Sequence, residues 1–286
     1  MLLNISKLSI ASLALISASA FASTSYADFS TVTAPSSGNF NSFSILSNGV
    51  TVSVSGWSDT ANFSNSEGGN PLTGDDKITE AVDFDQHPLG GWAMTNLDEG
   101  NTNTCGYHHS ADNLGSDCGY QDFDMFLIEF SEAVNLSSAT YAWRLGNTSN
   151  NQVTVAALND ANLEGENWLD VANDQTIASG YSQLENISST SGYYVNQSTR
   201  YLSNFDDNSN SNTTDVYSNF WLVGALNSVF GGNEADESND GLKISGVSFS
   251  TNTSTPPPAT SVPEPTSIMM FGLALVGFAA SRRKTK

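Results

Sequence analysis

Acidic side chains gathered in polar stretches are the groups of this sequence best suited to chemistry, and calcium binding is the chemistry they suit best. Ca²⁺ takes six to eight oxygen ligands, which β-rich proteins often supply from loops. Three candidate loops, 74–76, 206–208 and 234–240, carry neighbouring acidic residues, although none matches the EF-hand loop. We expect no other cofactor. The predicted calcium ligands are Asp206, Asp207, Asp236 and Asp240.

No catalytic residue is predicted. The sequence lacks a Gly-x-Ser-x-Gly turn, a His-Glu-x-x-His helix and a phosphate-binding Gly-rich loop. Glycoside hydrolysis needs two carboxyl groups about 5 to 9.5 Å apart, a spacing that some of the thirty acidic residues would meet by chance. An enzyme acting on polysaccharide therefore stays the lesser alternative. The residues that such a site could use are His87, His108, His109, Asp98, Glu99 and Asp112.

Tryptophan side chains offer a second route to function, because sugar rings stack on flat aromatic surfaces. Of the five tryptophans, Trp143 and Trp221 lie within strand patterns and are expected in the core. Trp92 and Trp168 are the better candidates for the surface, although a core position is favoured for each single tryptophan. A carbohydrate-binding module is therefore the second interpretation of the chain.

The two cysteines, Cys105 and Cys118, lie close together in the sequence. In an oxidising compartment such a pair most often forms a disulfide, which would contribute about 3 kcal/mol in the chain-entropy model. A metal site with His108 or His109 is the alternative, although its spacing matches no common zinc pattern.

Charge excludes nucleic acid as a partner. The chain has a formal net charge of −21, and the residues between its two ends include only Lys77, Arg144, Arg200 and Lys243 as bases. Nucleic-acid affinity comes largely from Lys and Arg that release counterions from phosphates. An acidic surface instead favours divalent cations or keeps a protein dispersed in water.

Alternation of apolar and polar residues predicts an all-β fold, a single β-sandwich or jelly-roll-like domain over 28–250. A partly helical stretch is expected at Asp170–Leu184. The predicted strands are Val50–Trp57, Asp122–Phe130, Thr140–Leu145, Gln152–Leu158, Gly192–Val195, Phe220–Leu226 and Leu242–Ser250.

The N-terminus has the order of a secretory signal peptide. A short start with Lys7 precedes an apolar run at 8–16, and small residues follow up to Ala27. The run is too short to span a bilayer. We predict a signal peptide over 1–27 with cleavage after Ala27, and Ala22 as the second choice.

The C-terminus has three ordered parts after a Thr/Ser/Pro-rich linker at 251–261. The first is Pro263, Glu264 and Pro265, and the second is a short apolar, membrane-spanning segment at 268–280. The third is a basic tail over 282–286, whose charges would stay on the cytoplasmic side. The basic stop consists of Arg282, Arg283 and Lys284.

These three parts over 262–286 resemble the PEP-CTERM sorting signal. The resemblance implies secretion, transient anchoring in the membrane and processing by an exosortase in a Gram-negative bacterium that makes exopolysaccharide. The destination would be the cell surface, the outer membrane or the extracellular matrix. More faintly, the body resembles a family of exosortase-dependent surface proteins, on segments that include Val52–Asp59, Gly91–Gly100 and His109–Asn113.

Together these patterns predict a structural or interaction protein of a cell surface or biofilm matrix rather than an enzyme. The expected partners are the secretion machinery, the exosortase and extracellular polysaccharide.

Overall fold

The computed structural model places the central part of the chain, and the structural statements below concern its described residues. These are residues 24–35, 40–60, 77–88, 90–97, 110–114, 122–146, 151–187, 201–206, 210–234, 237 and 240–252.

Strands dominate the described residues, and fourteen of them belong to one antiparallel sheet. A helical turn, α1 (Trp168–Asp170), continues into a π-helical turn at Val171–Gln175, and short 3-10 turns lie at Phe29–Thr31 and Ser228–Phe230. The strands are β1 (Thr24–Asp28), β2 (Ser42–Ser47), β3 (Val50–Ser58), β4 (Thr79–Glu80), β5 (Asp83–Gln86), β6 (Trp92–Thr95), β7 (Ala111–Asp112), β8 (Met125–Arg144), β9 (Gln152–Leu158), β10 (Thr176–Gln183), β11 (Glu185–Asn186), β12 (Tyr201–Asn204), β13 (Ser218–Ala225) and β14 (Gly241–Thr251).

The twenty-residue strand β8 organises the sheet, because its two halves have different partners. Its first half, 125–130, pairs with β3 and β13. Its second half, 134–144, pairs with β14 and β12. Ser131 and Glu132 between the halves are exposed. The longest path through the sheet runs β10-β9-β13-β8-β14-β6-β5.

Two apolar clusters cover the two faces of the first half of β8. On one face, Phe126, Ile128 and Phe130 join a large core with apolar side chains of the second half, β14 and β3. On the other face, Met125 and Leu127 pack with side chains of 159–175, the segment that contains α1. Burying a large apolar side chain contributes about 1.5–3 kcal/mol, so this strand is anchored from both sides.

The all-β prediction is confirmed, and the strands form a single open sheet. Alternation located β3, β9, β13 and β14 within one or two residues. The two strands predicted at 122–130 and 140–145 are parts of β8. Within Asp170–Leu184, helical turns give way to β10 at Thr176. The strand predicted at 192–195 lies outside the described residues.

Candidate functional site

A group of buried Asp and Asn side chains lies where several strands begin or end. We call it the Asp–Asn cluster, and each member is at most 6% exposed. Asp59 directly follows β3, and Asn96 directly follows β6. Asp112 lies on β7, where it pairs with Gly241 at the start of β14 and its carbonyl accepts from the N–H of Asp124 just before β8. The members are Asp59, Asn96, Asp112, Asn113, Asp122, Asp124 and Asp240.

Asp124 is the central carboxyl group of the cluster. Its Oδ1 accepts a hydrogen bond from Nδ2 of Asn96 at 3.1 Å, and its Oδ2 accepts from the backbone N–H of Asp112 at 3.3 Å. The same Asn96 amide also donates to Asp122. A backbone bond from Asp124 N–H to the Asp112 carbonyl, 2.9 Å, closes a ring between β7 and the start of β8.

Burial raises the pKa of Asp124 well above its ordinary value, and the nearby Asp112 carboxylate raises it further. Hydrogen bonds from the Asn96 amide and from the backbone N–H of Asp112 oppose that rise in the pKa. A carboxyl group taken out of water next to another carboxylate favours its protonated form. Asp124 is therefore suited to hold a proton inside the fold.

Asp240 connects four elements of the sheet. Its carboxylate accepts from Nδ2 of Asn113 at 2.9 Å and from the backbone N–H of Gln152 at 2.6 Å. Its own backbone N–H donates to Oδ1 of Asn113 at 3.0 Å. The Asn113 amide also donates to the carbonyl of Leu226 at 2.8 Å. These bonds join β14, β9 and β13 to the end of β7.

The same pattern of internal bonding holds at the other end of the cluster. Asp59 accepts from the backbone N–H of Phe123 at 2.7 Å and so fixes the residue before Asp124. Asp112 accepts from the hydroxyl of Ser110 at 2.7 Å and from the backbone N–H of Leu114 at 3.1 Å. The cluster carboxylates thus accept hydrogen bonds from the protein's own backbone N–H groups and polar side chains, as buried polar groups in folded proteins do.

Of the predicted calcium ligands, only two belong to the described residues. Asp206 follows β12 and is half-buried, whereas Asp240 is fully buried in the Asp–Asn cluster. Asp207 and Asp236 lie outside the described residues, so the four-residue calcium site stays a prediction. Within the described ranges, no group of three or more His, Cys, Asp or Glu side chains is arranged to hold a metal ion.

Several other predicted residues also lie outside the described ranges. They include both cysteines, so the Cys105–Cys118 disulfide stays a prediction. The predicted cleavage residue Ala27, by contrast, is fully buried in β1. The remaining undescribed residues are Asp98, Glu99, His108, His109, Pro263, Glu264, Pro265, Arg282, Arg283 and Lys284.

Trp92 and Trp168, the better surface candidates in the sequence, are both core residues, with side chains at most 1% exposed. The indole N–H of Trp92 donates to the carbonyl of Phe29 at 2.8 Å, and that of Trp168 donates to the carbonyl of Phe123 at 3.1 Å. Trp221 is also buried, as expected. Trp143 is half-buried although it was expected in the core, and it is the candidate for contact with a ligand. Trp57 is also half-buried, but it packs against an apolar cluster, and its indole N–H donates to the hydroxyl of Ser55.

The family model of the PEP-CTERM protein-sorting motif matches residues 261–284. Neither the curated proteins nor the solved structures gave a match. The chain is thus an exported protein with a C-terminal sorting signal. In particular, it carries a PEP-CTERM motif and is sorted in an exosortase-dependent way, with transient anchoring in the membrane.

In the part of the chain that the structure describes, no helix is both long enough and apolar enough to cross a membrane. The predicted membrane segment at 268–280 lies outside that part.

Most of the Asp–Asn cluster was missed by sequence reasoning, which predicted acidic residues in solvated loops. The available signal was position: Asp59 directly follows an alternating strand, and Asp122 and Asp124 directly precede an apolar one. A carboxylate at such a strand end can accept hydrogen bonds from backbone N–H groups that the sheet leaves unpaired.

Proposed function

We propose that the mature protein has a structural or interaction role at the exopolysaccharide-coated surface or in the biofilm matrix of a Gram-negative bacterium. The match of residues 261–284 to the sorting motif carries the proposal, because exosortase-dependent sorting acts on exported proteins. Exosortase and the secretion machinery are the partners of the sorting step, and extracellular polysaccharide is the partner proposed at the destination.

The geometry of the Asp–Asn cluster supports a role without catalysis. A catalytic carboxylate must come within hydrogen-bond reach of its substrate. Asp124 and Asp240 are fully buried, and their oxygens accept hydrogen bonds from neighbouring strands. Carboxyl groups bonded in this way hold neighbouring strands together, and a rigid sheet suits a protein that contacts its partners through its surface.

Alanine substitution of Pro263, Glu264 and Pro265 together tests the sorting step. The matched control replaces Pro256, Pro257 and Pro258, three neighbouring residues before the motif. We expect the motif variant to accumulate with its C-terminal tail in the membrane fraction, and the control to be processed and released like the wild type. Equal processing of the two variants would exclude recognition through the motif.

Placement at the surface is tested by treating intact cells with a protease that cannot enter them. Wild-type protein should be degraded on intact cells, whereas the motif variant should be protected until the outer envelope is opened. Protection of the wild-type protein would contradict a surface location.

Calcium remains the metal proposed for the acidic loops, with Asp206, Asp207 and Asp236 as ligands, since the buried Asp240 carboxylate is held by Gln152 and Asn113. Calcium in millimolar excess over chelator should then raise the melting temperature of the mature protein. The D207N/D236N variant should lose that increase. An unchanged melting temperature in the wild type would exclude a stabilising calcium site.

A carbohydrate-binding module is the second candidate function, and the half-buried Trp143 favours it. The Lys243 ammonium lies over this indole ring, 5.3 Å from its centre, so it covers one face of the ring and offers a cation to an acidic sugar at this position. In native gels that contain the host's own exopolysaccharide, the wild type should be retarded and W143A should not. W57A serves as the control, and no retardation of the wild type would remove this candidate.

A further inference from the structure

The N-terminal strand β1 is an integral part of the sheet. All five of its residues pair antiparallel with β14, from Thr24 opposite Ser250 to Asp28 opposite Gly246. Ala27 and the following Phe29 are fully buried in the main core.

Side-chain contacts hold β1 in addition to its pairing. The Tyr26 hydroxyl lies 2.9 Å from the hydroxyl of Thr140 on β8, and the Tyr26 carbonyl accepts from the Ser47 hydroxyl at 2.9 Å. The Ser25 hydroxyl accepts from Nδ2 of Asn48 at 2.9 Å. These bonds connect β1 to β8, to the end of β2 and to the turn between β2 and β3, so three elements besides β14 contact it.

Gly246 gives independent support, because its missing side chain makes room for β1. A Cβ at this position would lie 2.3 Å from the Tyr26 hydroxyl oxygen and 2.5 Å from the Ala27 carbonyl oxygen. Both distances are shorter than any Cβ contact that packed atoms tolerate. The sequence of β14 is thus adapted to a strand that must still be present in the folded protein.

We propose that signal peptidase cleaves this chain between Ala22 and Ser23, so that β1 is retained as the first strand of the mature protein. Hydrolysis adds water across the Ala22–Ser23 amide, which leaves a carboxyl group on Ala22 and an amino group on Ser23. Such cleavage requires a small residue directly before the bond and another two positions upstream, and Ala22 and Ala20 supply them. The inference rests on the signal peptide that the sequence predicts.

Cleavage after Ala27, the first choice from the sequence, would remove four of the five residues of β1. It would leave the β14 edge without its partner and would uncover Phe29. The hydrogen bonds of Tyr26 and Ser25 would be lost with the peptide. The structure therefore favours Ala22 over Ala27 as the cleavage residue.

N-terminal sequencing and intact mass of the full-length gene product, purified from the cell envelope and the medium, test the proposal. Wild-type chains should begin at Ser23. A first residue of Asp28 would overturn it by showing that β1 is discarded, and an uncleaved N-terminus would overturn it together with the predicted signal peptide. Neither outcome depends on the sorting motif, whose failure shows at the C-terminus instead.

Two variants place the cleavage position more narrowly. A22R puts a large charged residue directly before the proposed bond and should abolish the Ser23 terminus. S25L puts a bulky residue at the corresponding outer position for cleavage after Ala27, and its mature chain should still begin at Ser23. A Ser23 terminus in A22R, or its loss in S25L, would contradict the proposal. Both possible N-termini, Ser23 and Asp28, are identified from denatured protein, so a folding defect in a variant does not obscure the result.

Discussion

A single methyl group at Gly246 tests how β1 is held. The added Cβ would meet the Ala27 carbonyl oxygen, which is backbone and can move only if β1 moves. Overpacking of this kind costs about 1–3 kcal/mol. Displacement of Tyr26 would also break its hydrogen bond to Thr140, worth about 1 kcal/mol. We therefore expect G246A to lower the free energy of unfolding by about 2–4 kcal/mol.

The same substitution should be harmless when β1 is absent. Gly246 does not adopt a positive φ, so alanine fits its backbone and can even stabilise by about 0.4–1 kcal/mol through the unfolded state. A double-mutant cycle between G246A and a chain that starts at Asp28 should then show a coupling of about 2–4 kcal/mol. Urea unfolding followed by fluorescence of the buried tryptophans measures the free energy of unfolding of the four chains in this cycle. If the shorter chain does not fold, Y26A replaces the truncation. It removes the Tyr26 contacts but keeps the Ala27 carbonyl oxygen, so the expected coupling falls to about 1 kcal/mol.

Gly241, also on β14, provides the control. A Cβ there would meet the Leu145 side chain at 3.2 Å and Asp112 at 3.5 Å, but no atom of β1. G241A should therefore have the same effect on stability with and without β1. An equal cost of G246A in both backgrounds would refute the packing of β1 described here, and so would the absence of any cost in the longer chain.

Two further predictions concern the Asp–Asn cluster. Because burial raises the pKa of Asp124 above the unfolded value of 3.8, the folded state keeps a proton that the unfolded state releases. Its contribution to stability is therefore full below that pH and declines as the pH rises towards the folded pKa. D124N should gain stability relative to the wild type across this interval, measured by urea unfolding from pH 4 to 7, and a constant difference would exclude the raised pKa. D240N places an amide N–H₂ group against the N–H donor of Gln152 or Asn113, so it should lower the free energy of unfolding by about 1–3 kcal/mol. The control D160N, at an exposed position, should leave the stability unchanged. Equal melting temperatures of the two variants would contradict the bracing role of Asp240.

Half-buried strands could be predicted because the alternation of apolar and polar residues in the sequence matches the alternation of buried and exposed side chains in the sheet. In β3, buried residues alternate with more exposed ones from Val50 to Ser58. The single strand β8 was predicted as two, because Ser131 and Glu132 interrupt its apolar pattern where the sheet changes partners. Local pattern does not show that a strand continues through such a change.

Burial of polar groups and of two tryptophans could not be predicted, since it depends on contacts far apart in the sequence. Trp168 is covered by Phe230, whose ring centre lies 6.1 Å away across 62 positions of sequence. Asp240 is buried because Asn113 and Gln152 donate to it from other strands. Likewise, the small and polar residues of β1 fit a cleavage region as well as a strand, and only the pairing with β14 distinguishes them.

The intact mass of the protein isolated from the surface of its native cells tests the central claim most directly. An exported chain sorted through its PEP-CTERM motif should lack both the N-terminal signal peptide and the apolar segment at 268–280. A chain recovered from the cytoplasm with both ends still attached would contradict the account.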